Sequence, residues 1–173
     1  TREKSPRFAS LHGLVCRCGG QGLLTQGHVV DRYTVEGVIG RGGMAIVYRA
    51  RHNGLGSTHA MKVIDLPSAT LRERLIAEGR VQSALRHPNI AAVTDLIEVA
   101  GAPALIMEYV NGPAVDAVIA QGSLTLEQAD HLARGIISGM AAAHRFGLVH
   151  RDLKPSNVML AILEGELIPK IID

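Results

Sequence analysis

Short apolar-rich runs separated by Gly- and Asn-rich turns dominate the stretch from position 33 to position 110. Short runs of this kind, rich in Val, Ile, Tyr and Thr and bounded by turn residues, predict β-strands. The predicted strands are residues 33–39, 46–48, 58–64, 90–99 and 104–110. The pattern therefore predicts a β-rich first part of the protein.

One helical stretch separates the third and fourth of these strands. Thr70 and Glu73 have the spacing of a capping box, and Pro88 ends the stretch. Recurrence at spacings of three and four places one set of residues on a common helix face. That face comprises Leu71, Leu75, Glu78, Gln82 and Leu85. The carboxylate of Glu78 needs a cation in such a stripe, and Lys62 of the preceding strand is the candidate. The alternative is a solvated Glu78 at the edge of the stripe, with Lys62 extending to solvent.

Helices are predicted for most of the second part. The break at 111–113 precedes a short predicted helix at 115–120 and a long one at 126–146. Thr125 and Gln128 form a capping box for the long helix. The apolar stripe of the long helix comprises Ala129, Leu132, Ile136, Met140 and Ala143.

Two glycines in the long helix, Gly135 and Gly139, are expected to permit close packing without a chemical role. After a polar loop, residues 158–162 and 168–172 predict a second pair of strands that turn at 164–165. The whole pattern is typical of an α+β protein with a β-rich first part and a mostly helical second part.

Composition and charge exclude several classes of protein. The 173 residues are 47% apolar and carry a formal net charge of +2, which indicates neither a nucleic-acid nor a membrane-surface partner. No apolar run is long enough to span a bilayer, and His12, Arg17 and Cys18 interrupt any signal-peptide segment. A cytoplasmic location is therefore expected. Residues 1–32 show no period and are interpreted as a linker or the tail of a preceding segment.

A dense group of polar side chains lies between two short apolar runs at 148–149 and 158–160. Residues 150–157 read His-Arg-Asp-Leu-Lys-Pro-Ser-Asn, and Pro155 prevents a helix across this loop. The His, Arg, Asp, Lys and Asn side chains of this loop, held between two buried strands, are costly unless they have a role. The alternative is a solvated surface hairpin.

The segment 150–157 resembles the catalytic loop of protein kinases, whose pattern is HRDxxxxN. In that family the Asp accepts the proton of the substrate hydroxyl and the Asn binds a magnesium ion. The resemblance therefore implies that Asp152 is the catalytic base and Asn157 a metal ligand. Lys154 corresponds to the lysine with which serine/threonine kinases contact the γ-phosphate, so the implied substrates are protein Ser and Thr hydroxyls.

A strand, a Gly-rich turn and a β-rich run at 33–48 form a second motif. Backbone amides of such a turn can close over phosphates, because glycine has no Cβ. The β-rich run disfavours a Rossmann site, which needs a helix there, and a plain hairpin remains the alternative. The motif resembles the Gly-rich loop of kinases, with Ala45 in place of the third glycine as in many bacterial members. The residues implied to cover the phosphates are Gly40, Arg41, Gly42, Gly43, Met44, Ala45, Ile46 and Val47, and Ile39 before them is implied to bind ATP.

Further kinase motifs follow in the order of the family. Lys62 resembles the lysine that holds the α- and β-phosphates, and Glu78 resembles its partner on the helix. Asp173 stands where the family has the Asp of its Asp-Phe-Gly motif, which implies the principal magnesium ligand. The residues implied to surround the adenine are Val47, Ala60, the gatekeeper Met107, the hinge residues Glu108 and Val110, and Met159.

The resemblance implies a two-lobe protein-kinase fold that binds ATP and Mg²⁺ and phosphorylates protein Ser and Thr. Residues 33–110 would form a five-stranded antiparallel N-terminal lobe with one helix, and residues 111–173 an incomplete, mostly helical C-terminal lobe. Since the sequence stops before an activation segment, weak or no activity is expected of this chain alone. The alternative is a non-catalytic nucleotide-binding or protein-interaction module, whereas Arg151 and Lys154 disfavour a small-molecule phosphotransferase.

Overall fold

The computed structural model describes residues 24–42, 45–64, 69–122, 124–163 and 165–172. The strands in these ranges are β1 (Val29–Val30), β2 (Tyr33–Arg41), β3 (Ala45–His52), β4 (Thr58–Ile64), β5 (Val93–Val99), β6 (Ala102–Glu108), β7 (Val158–Leu163) and β8 (Glu166–Ile171). The helices are α1 (Ala69–Ala84), α2 (Val115–Gln121) and α3 (Leu126–Arg145), and a 3₁₀ turn spans Pro155–Asn157.

Strands β1 to β6 form one antiparallel sheet in the order β1-β2-β3-β4-β6-β5. The five predicted strands are present, with shifted ends. The predicted strand at 90–99 begins only at Val93, because Ala91 donates its N–H to the carbonyl of Ile171 at 2.9 Å. This bond ties the segment before β5 to the hairpin β7-β8 and removes it from the sheet.

The sixth strand, β1, lies in a segment that the sequence indicated to be a linker. Val30 of this strand is buried and pairs with Tyr33 of β2. Leu24 packs against the same core, and its N–H donates to the Tyr48 hydroxyl at 3.1 Å. The apolar contacts of Leu24 and Val30 thus order residues that lack any sequence period, because burial of apolar area does not require a periodic pattern.

The core of the sheet is filled by side chains from all six of its strands. Ala50, Met61, Ala104 and Ile106 are completely buried. The buried members of the cluster are Val30, Tyr33, Val35, Ile46, Tyr48, Ala50, Met61, Val99, Ala104 and Ile106. This packing holds β3 and β4 rigidly, and these two strands carry Val47, Ala60 and Lys62.

Helix α1 packs against β5 and β6. Gly79 allows the close approach, because a Cβ at this position would lie 2.9 Å from Leu105 Cδ2. The helix begins at Ala69, so Thr70 lies within its first turn and the predicted capping box at Thr70 is wrong. At the other end, the Arg86 guanidinium donates to the carbonyl of Ser83 at 2.6 Å, which satisfies a backbone acceptor of the last turn.

Helix α3 has the predicted start. Gln128 donates its N–H to Thr125 Oγ1 at 3.2 Å, and the Gln128 side chain accepts from Thr125 N–H at 2.9 Å. Both bonds of the predicted capping box are therefore confirmed. Of the predicted stripe, Leu132 is buried and the others are half-buried. Across all the described residues, no helix is both long and apolar enough to cross a membrane.

The two glycines of α3 mark its closest contacts, as predicted. A Cβ at Gly135 would lie 2.5 Å from Pro169 Cγ, and a Cβ at Gly139 would lie 3.1 Å from the carbonyl oxygen of Asn89. Asn89 also donates from Nδ2 to the carbonyl of Pro169 at 2.9 Å and accepts at its carbonyl from Ile171 N–H at 2.8 Å. Helix α3, strand β8 and the segment after α1 therefore form one packed unit.

Candidate active site

The polar loop 150–157 is organised around the carboxylate of Asp152. Lys154 Nζ lies 2.7 Å from Asp152 Oδ2. Asn157 Nδ2 donates to the Asp152 carbonyl oxygen at 2.9 Å and lies 3.4 Å from Oδ2. The 3₁₀ turn that begins at Pro155 brings Asn157 back towards Asp152. One carboxylate, one ammonium and one amide thus meet in a single exposed loop.

The charge beside Asp152 changes its proton affinity. The hydrogen bond from Lys154 is the largest cause that lowers the pKa of the Asp152 carboxyl, and the hydrogen bond from Asn157 and the nearby His150 also lower it. Burial acts in the opposite direction but is outweighed. Asp152 is therefore ionised at neutral pH and is available as a hydrogen-bond acceptor.

His150 connects this loop to the end of β8. Its Nε2 lies 3.2 Å from the carbonyl oxygen of Ile172, and Ile172 N–H donates to the Asn157 carbonyl at 3.0 Å. Arg151, the next residue, adopts a φ of 64°, which is uncommon for a side chain with a Cβ. The loop is thereby held against the segment that leads to Asp173.

Lys62 lies in the middle of β4, between Val47 of β3 and Leu105 of β6. Burial lowers the pKa of its ammonium group, since a charge loses solvation in the protein interior. The side chain lines a cavity of about 540 Å³ that is also lined by Met107, His150 and Arg151. The cavity thus connects the sheet that holds Lys62 with the start of the polar loop.

The residues expected around an adenine come from four strands, β3, β4, β6 and β7, and from Val110 after β6. Ala60 of β4 pairs with Met107 of β6. Met159 of β7 forms an isolated bridge with Ala114 and packs in one apolar cluster with Val110. The fold therefore joins the end of β6 to β7 through the segment between Val110 and Ala114.

The Gly-rich strands are paired at the expected position. Gly40 of β2 lies opposite Val47 of β3, and a Cβ at Gly40 would lie 3.7 Å from Val47 Cβ. Ile39, Arg41 and Gly42 are exposed or half-exposed at the end of this strand pair. The backbone at Gly40–Gly42 can therefore be approached by a ligand.

A family model described as a protein kinase domain matches residues 33–173. The chain belongs to the protein kinase family. Serine/threonine-protein kinase PkaA of Streptomyces coelicolor is 36% identical over 160 residues, which are 84% of this chain and 30% of PkaA. Serine/threonine-protein kinase PknJ of Mycobacterium tuberculosis is 31% identical over 145 residues, which are 82% of this chain and 25% of PknJ. The chain spans less than a third of the length of these two relatives.

The fold is that of solved kinase domains. The Mycobacterium tuberculosis PknI kinase domain superposes with a TM-score of 0.74 at 30% identity, covering 87% of this chain and 62% of that one. The predicted kinase-like α+β fold, with an incomplete C-terminal lobe, is thereby confirmed.

Several kinase positions lie outside the described residues. Gly43 and Met44 of the Gly-rich turn and Asp173 are among them. The backbone of Glu78 belongs to α1, but its side chain is outside the described part, so the pair between Lys62 and Glu78 stays a prediction.

The sequence did not reveal one charged residue that contacts the end of β6. Lys170 of β8 is buried, and its ammonium group lies 2.7 Å from Glu108 Oε1 and 2.9 Å from Oε2. The resemblance implies only that Glu108 is a hinge residue beside the adenine. A lysine among apolar residues in a predicted buried strand is the signal that could have revealed the pair.

The chemistry of the loop fits the magnesium that the kinase family uses. Asn157 turns its Nδ2 towards Asp152, which leaves the amide oxygen as the atom able to coordinate a cation. Carboxylate and amide oxygens are the ligand types that Mg²⁺ prefers. Within the described ranges, no group of three or more His, Cys, Asp or Glu residues could hold a metal ion. Asp173, the second ligand that the resemblance implies, lies outside the described residues, so the pair of Asn157 and Asp173 stays a prediction.

Lys154→Met is expected to raise the pKa of Asp152, because it removes the largest cause that lowers it. A carboxyl-detected NMR titration of the two proteins measures this pKa. Arg134→Met is the matched control, since Arg134 lowers the pKa of Asp130 in the same way on α3, with a distance of 2.7 Å. The control is expected to raise only the pKa of Asp130. An unchanged titration of Asp152 in Lys154→Met contradicts the assignment.

Proposed function

We propose that this chain is the nucleotide-binding part and catalytic loop of a serine/threonine protein kinase. The reaction transfers the γ-phosphoryl group of ATP to a Ser or Thr hydroxyl of a protein substrate. The observation that carries the proposal is the Asp152 carboxylate, ionised and held between Lys154 and Asn157 in one exposed loop. A carboxylate at this place can accept a proton from an approaching hydroxyl.

Asp152 acts as the catalytic base. It orients the substrate hydroxyl by accepting its hydrogen bond, and it receives the proton while the hydroxyl oxygen forms its bond to the γ-phosphorus and ADP leaves. A low pKa suits orientation, and proton transfer becomes favourable only as the hydroxyl becomes acidic during bond formation.

Lys154 and Lys62 supply positive charge at opposite ends of the phosphates. Lys154, already beside Asp152, shifts towards the transferred phosphoryl group and neutralises its charge. Lys62 is half-buried with a lowered pKa, so an anion beside it stabilises the charged form. The paired strands at Gly40 and Val47 cover the phosphates with backbone amides.

Asn157 and Asp173 are proposed to hold magnesium, which would neutralise phosphate charge when bound. Glu78 orients Lys62 in this proposal. Val47, Ala60, Met107, Val110 and Met159 enclose the adenine, and the backbone after Glu108 bonds to it. The proposed boundaries are 33–110 for the N-terminal lobe and 111–173 for the part of the C-terminal lobe. A cytoplasmic location completes the proposal, because the reaction consumes ATP.

A non-catalytic interaction module is the second candidate. Two exposed apolar side chains lie in or directly before the loop 150–157, namely Val149 with 63% and Leu153 with 45% of their surface exposed. Exposed apolar groups close together favour contact with another protein surface. Nucleotide binding separates the two candidates, because an interaction module has no need of it.

Mg-ATP at about one hundred times its dissociation constant is expected to raise the melting temperature of the chain by roughly 5–10 °C, since it binds only the folded state. Thermal denaturation of the purified chain measures the shift. Lys62→Ala is expected to lose most of the shift, and Arg80→Ala on the exposed surface of α1 is expected to keep it. A cooperative melt that does not respond to Mg-ATP favours the interaction module.

A further inference from the structure

Among the side chains that the structure describes, Lys170 is the charged one that is buried. Pro169 and Ile171, the residues before and after it in β8, are buried too, so β8 is covered on both faces at this point. A buried ammonium group is stable only with a counter-charge at hydrogen-bond distance. Glu108 provides this charge, with both of its carboxylate oxygens within 2.9 Å of Lys170 Nζ.

The two partners lie near the ends of strands that belong to different sheets. Glu108 is the last residue of β6, directly before the segment that leads from one lobe to the other. Lys170 lies in β8, three positions before Asp173. The pair joins positions that are 62 residues apart in the sequence. It therefore links the strand end proposed to hold the adenine with the strand proposed to end at the metal ligand.

Backbone bonds around the pair limit its possible movement. Glu108 N–H donates to the carbonyl of Ala92 at 2.8 Å, and Ala92 N–H lies 3.4 Å from Glu108 Oε2. Ala91, the neighbouring residue, donates to the carbonyl of Ile171 in β8 at 2.9 Å. The carboxylate of Glu108 is thus in contact with both the segment before β5 and the strand β8. A shift of either strand end changes the geometry of the ion pair.

Stability alone does not explain this ion pair, in which Lys170 is buried and the Glu108 side chain is 34% exposed. Replacing a buried charge and its partner by apolar residues of similar volume is often neutral or stabilising, because a charge loses its solvation on burial. The pair does restrict geometry, because an ammonium bonded to two carboxylate oxygens accepts few arrangements. Two binding sites become coupled when a rigid element connects them and each ligand favours the same arrangement.

We propose that Glu108 and Lys170 are a positioning pair that couples nucleotide binding at the end of β6 to metal binding at the end of β8. The proposal rests on the proposed kinase function. Neither residue touches the reacting atoms through its side chain. Their effect is to keep the end of β6 and the end of β8 at the separation that one Mg-ATP molecule requires.

The test measures how much Mg²⁺ strengthens the binding of ATP to the chain. Titration calorimetry gives the dissociation constant of ATP in excess Mg²⁺ and in EDTA, and the ratio of the two constants reports the coupling. A ratio of about five or more is expected for the unmodified chain, which is the lower end of ordinary coupling between sites. In Glu108→Gln/Lys170→Met the ratio is expected to fall to about one to two, since no charge then joins the strands.

The matched control breaks another ion pair in the same way. Asp130→Asn/Arg134→Met removes the pair on the surface of α3, where the distance is 2.7 Å. This variant is expected to keep the ratio of the unmodified chain. A merely structural role of Glu108 and Lys170 would weaken ATP binding equally in Mg²⁺ and in EDTA, which leaves the ratio unchanged and overturns the proposal.

A milder variant decides the question if the double variant does not fold. Glu108→Asp keeps both charges but shortens the reach by one methylene group, and its ratio is expected to fall by about half. A ratio equal to that of the unmodified chain overturns the proposal. An unmodified chain that binds ATP equally with and without Mg²⁺ also overturns it, while nucleotide binding stands. A chain that binds no ATP under either condition overturns the proposed function itself.

Discussion

Asp152→Asn is expected to lower the rate of phosphoryl transfer by about 10²–10⁴-fold, which is the usual contribution of a general base. ATP is expected to bind to the variant still, because the groups proposed to hold the nucleotide are unchanged. The asparagine amide can accept a hydrogen bond from the substrate hydroxyl, but it cannot take up the proton. The loss should therefore appear in kcat and not in the affinity for ATP.

The structure adds a reason for the size of this effect. The carboxylate of Asp152 is bonded to Lys154 and lies within reach of Asn157, so it is oriented before any substrate arrives. Such preorganisation avoids the cost of ordering the base during the reaction. An amide at position 152 also leaves Lys154 without its counter-charge, which lets the ammonium group move away from the loop.

Transfer of labelled phosphate from ATP to a pool of Ser- and Thr-containing peptides measures the rate. This chain covers 62% of the PknI kinase domain, so the assay uses a protein in which the rest of a kinase domain follows this sequence. Asp130→Asn, an exposed acid on α3, is the control and is expected to keep the rate. Normal turnover of Asp152→Asn would refute the role of this residue as the base.

The second large effect, a loss of folding stability, is expected for Gly112→Ala in the segment between β6 and α2. A Cβ at position 112 would lie 1.9 Å from the carbonyl oxygen of Leu160, which is far inside any real contact distance. The obstacle is backbone, and Leu160 N–H also donates to the Pro113 carbonyl at 2.8 Å. Neither the backbone at Gly112 nor the backbone at Leu160 can therefore move aside without breaking the contact between this segment and β7.

Overpacking of this kind costs about 1–3 kcal/mol and occasionally more, and a backbone obstacle puts this site at the upper end. We expect the free energy of unfolding to fall by about 3 kcal/mol. Urea denaturation measures the change. Gly122→Ala is the matched control, because no atom lies within 4 Å of the added Cβ there, and its stability should change little. Equal stability of the two variants would show that the segment at Gly112 is not packed against β7.

Local patterns in the sequence predicted the elements that carry the candidate site. The capping box of Thr125 and Gln128 depends on residues three apart, and both of its bonds are present. Pro155 excluded a helix across the polar loop, and a short 3₁₀ turn stands there. The capping box at Thr70 failed, because α1 begins one residue before it. A spacing rule states which bonds are possible but does not decide where a helix starts.

The sequence by itself determined the order of strands and helices, the content of the polar loop and the membership of the protein kinase family. These features depend on the spacing of apolar residues, on turn residues and on short motifs. Each of these signals lies within a few neighbouring positions. Only the tertiary structure decided that Val30 completes the sheet, that β5 starts at Val93 and that Glu108 binds Lys170. These contacts join distant parts of the chain, and their free energy comes from burial and from charge pairing that exist only once the strands have met.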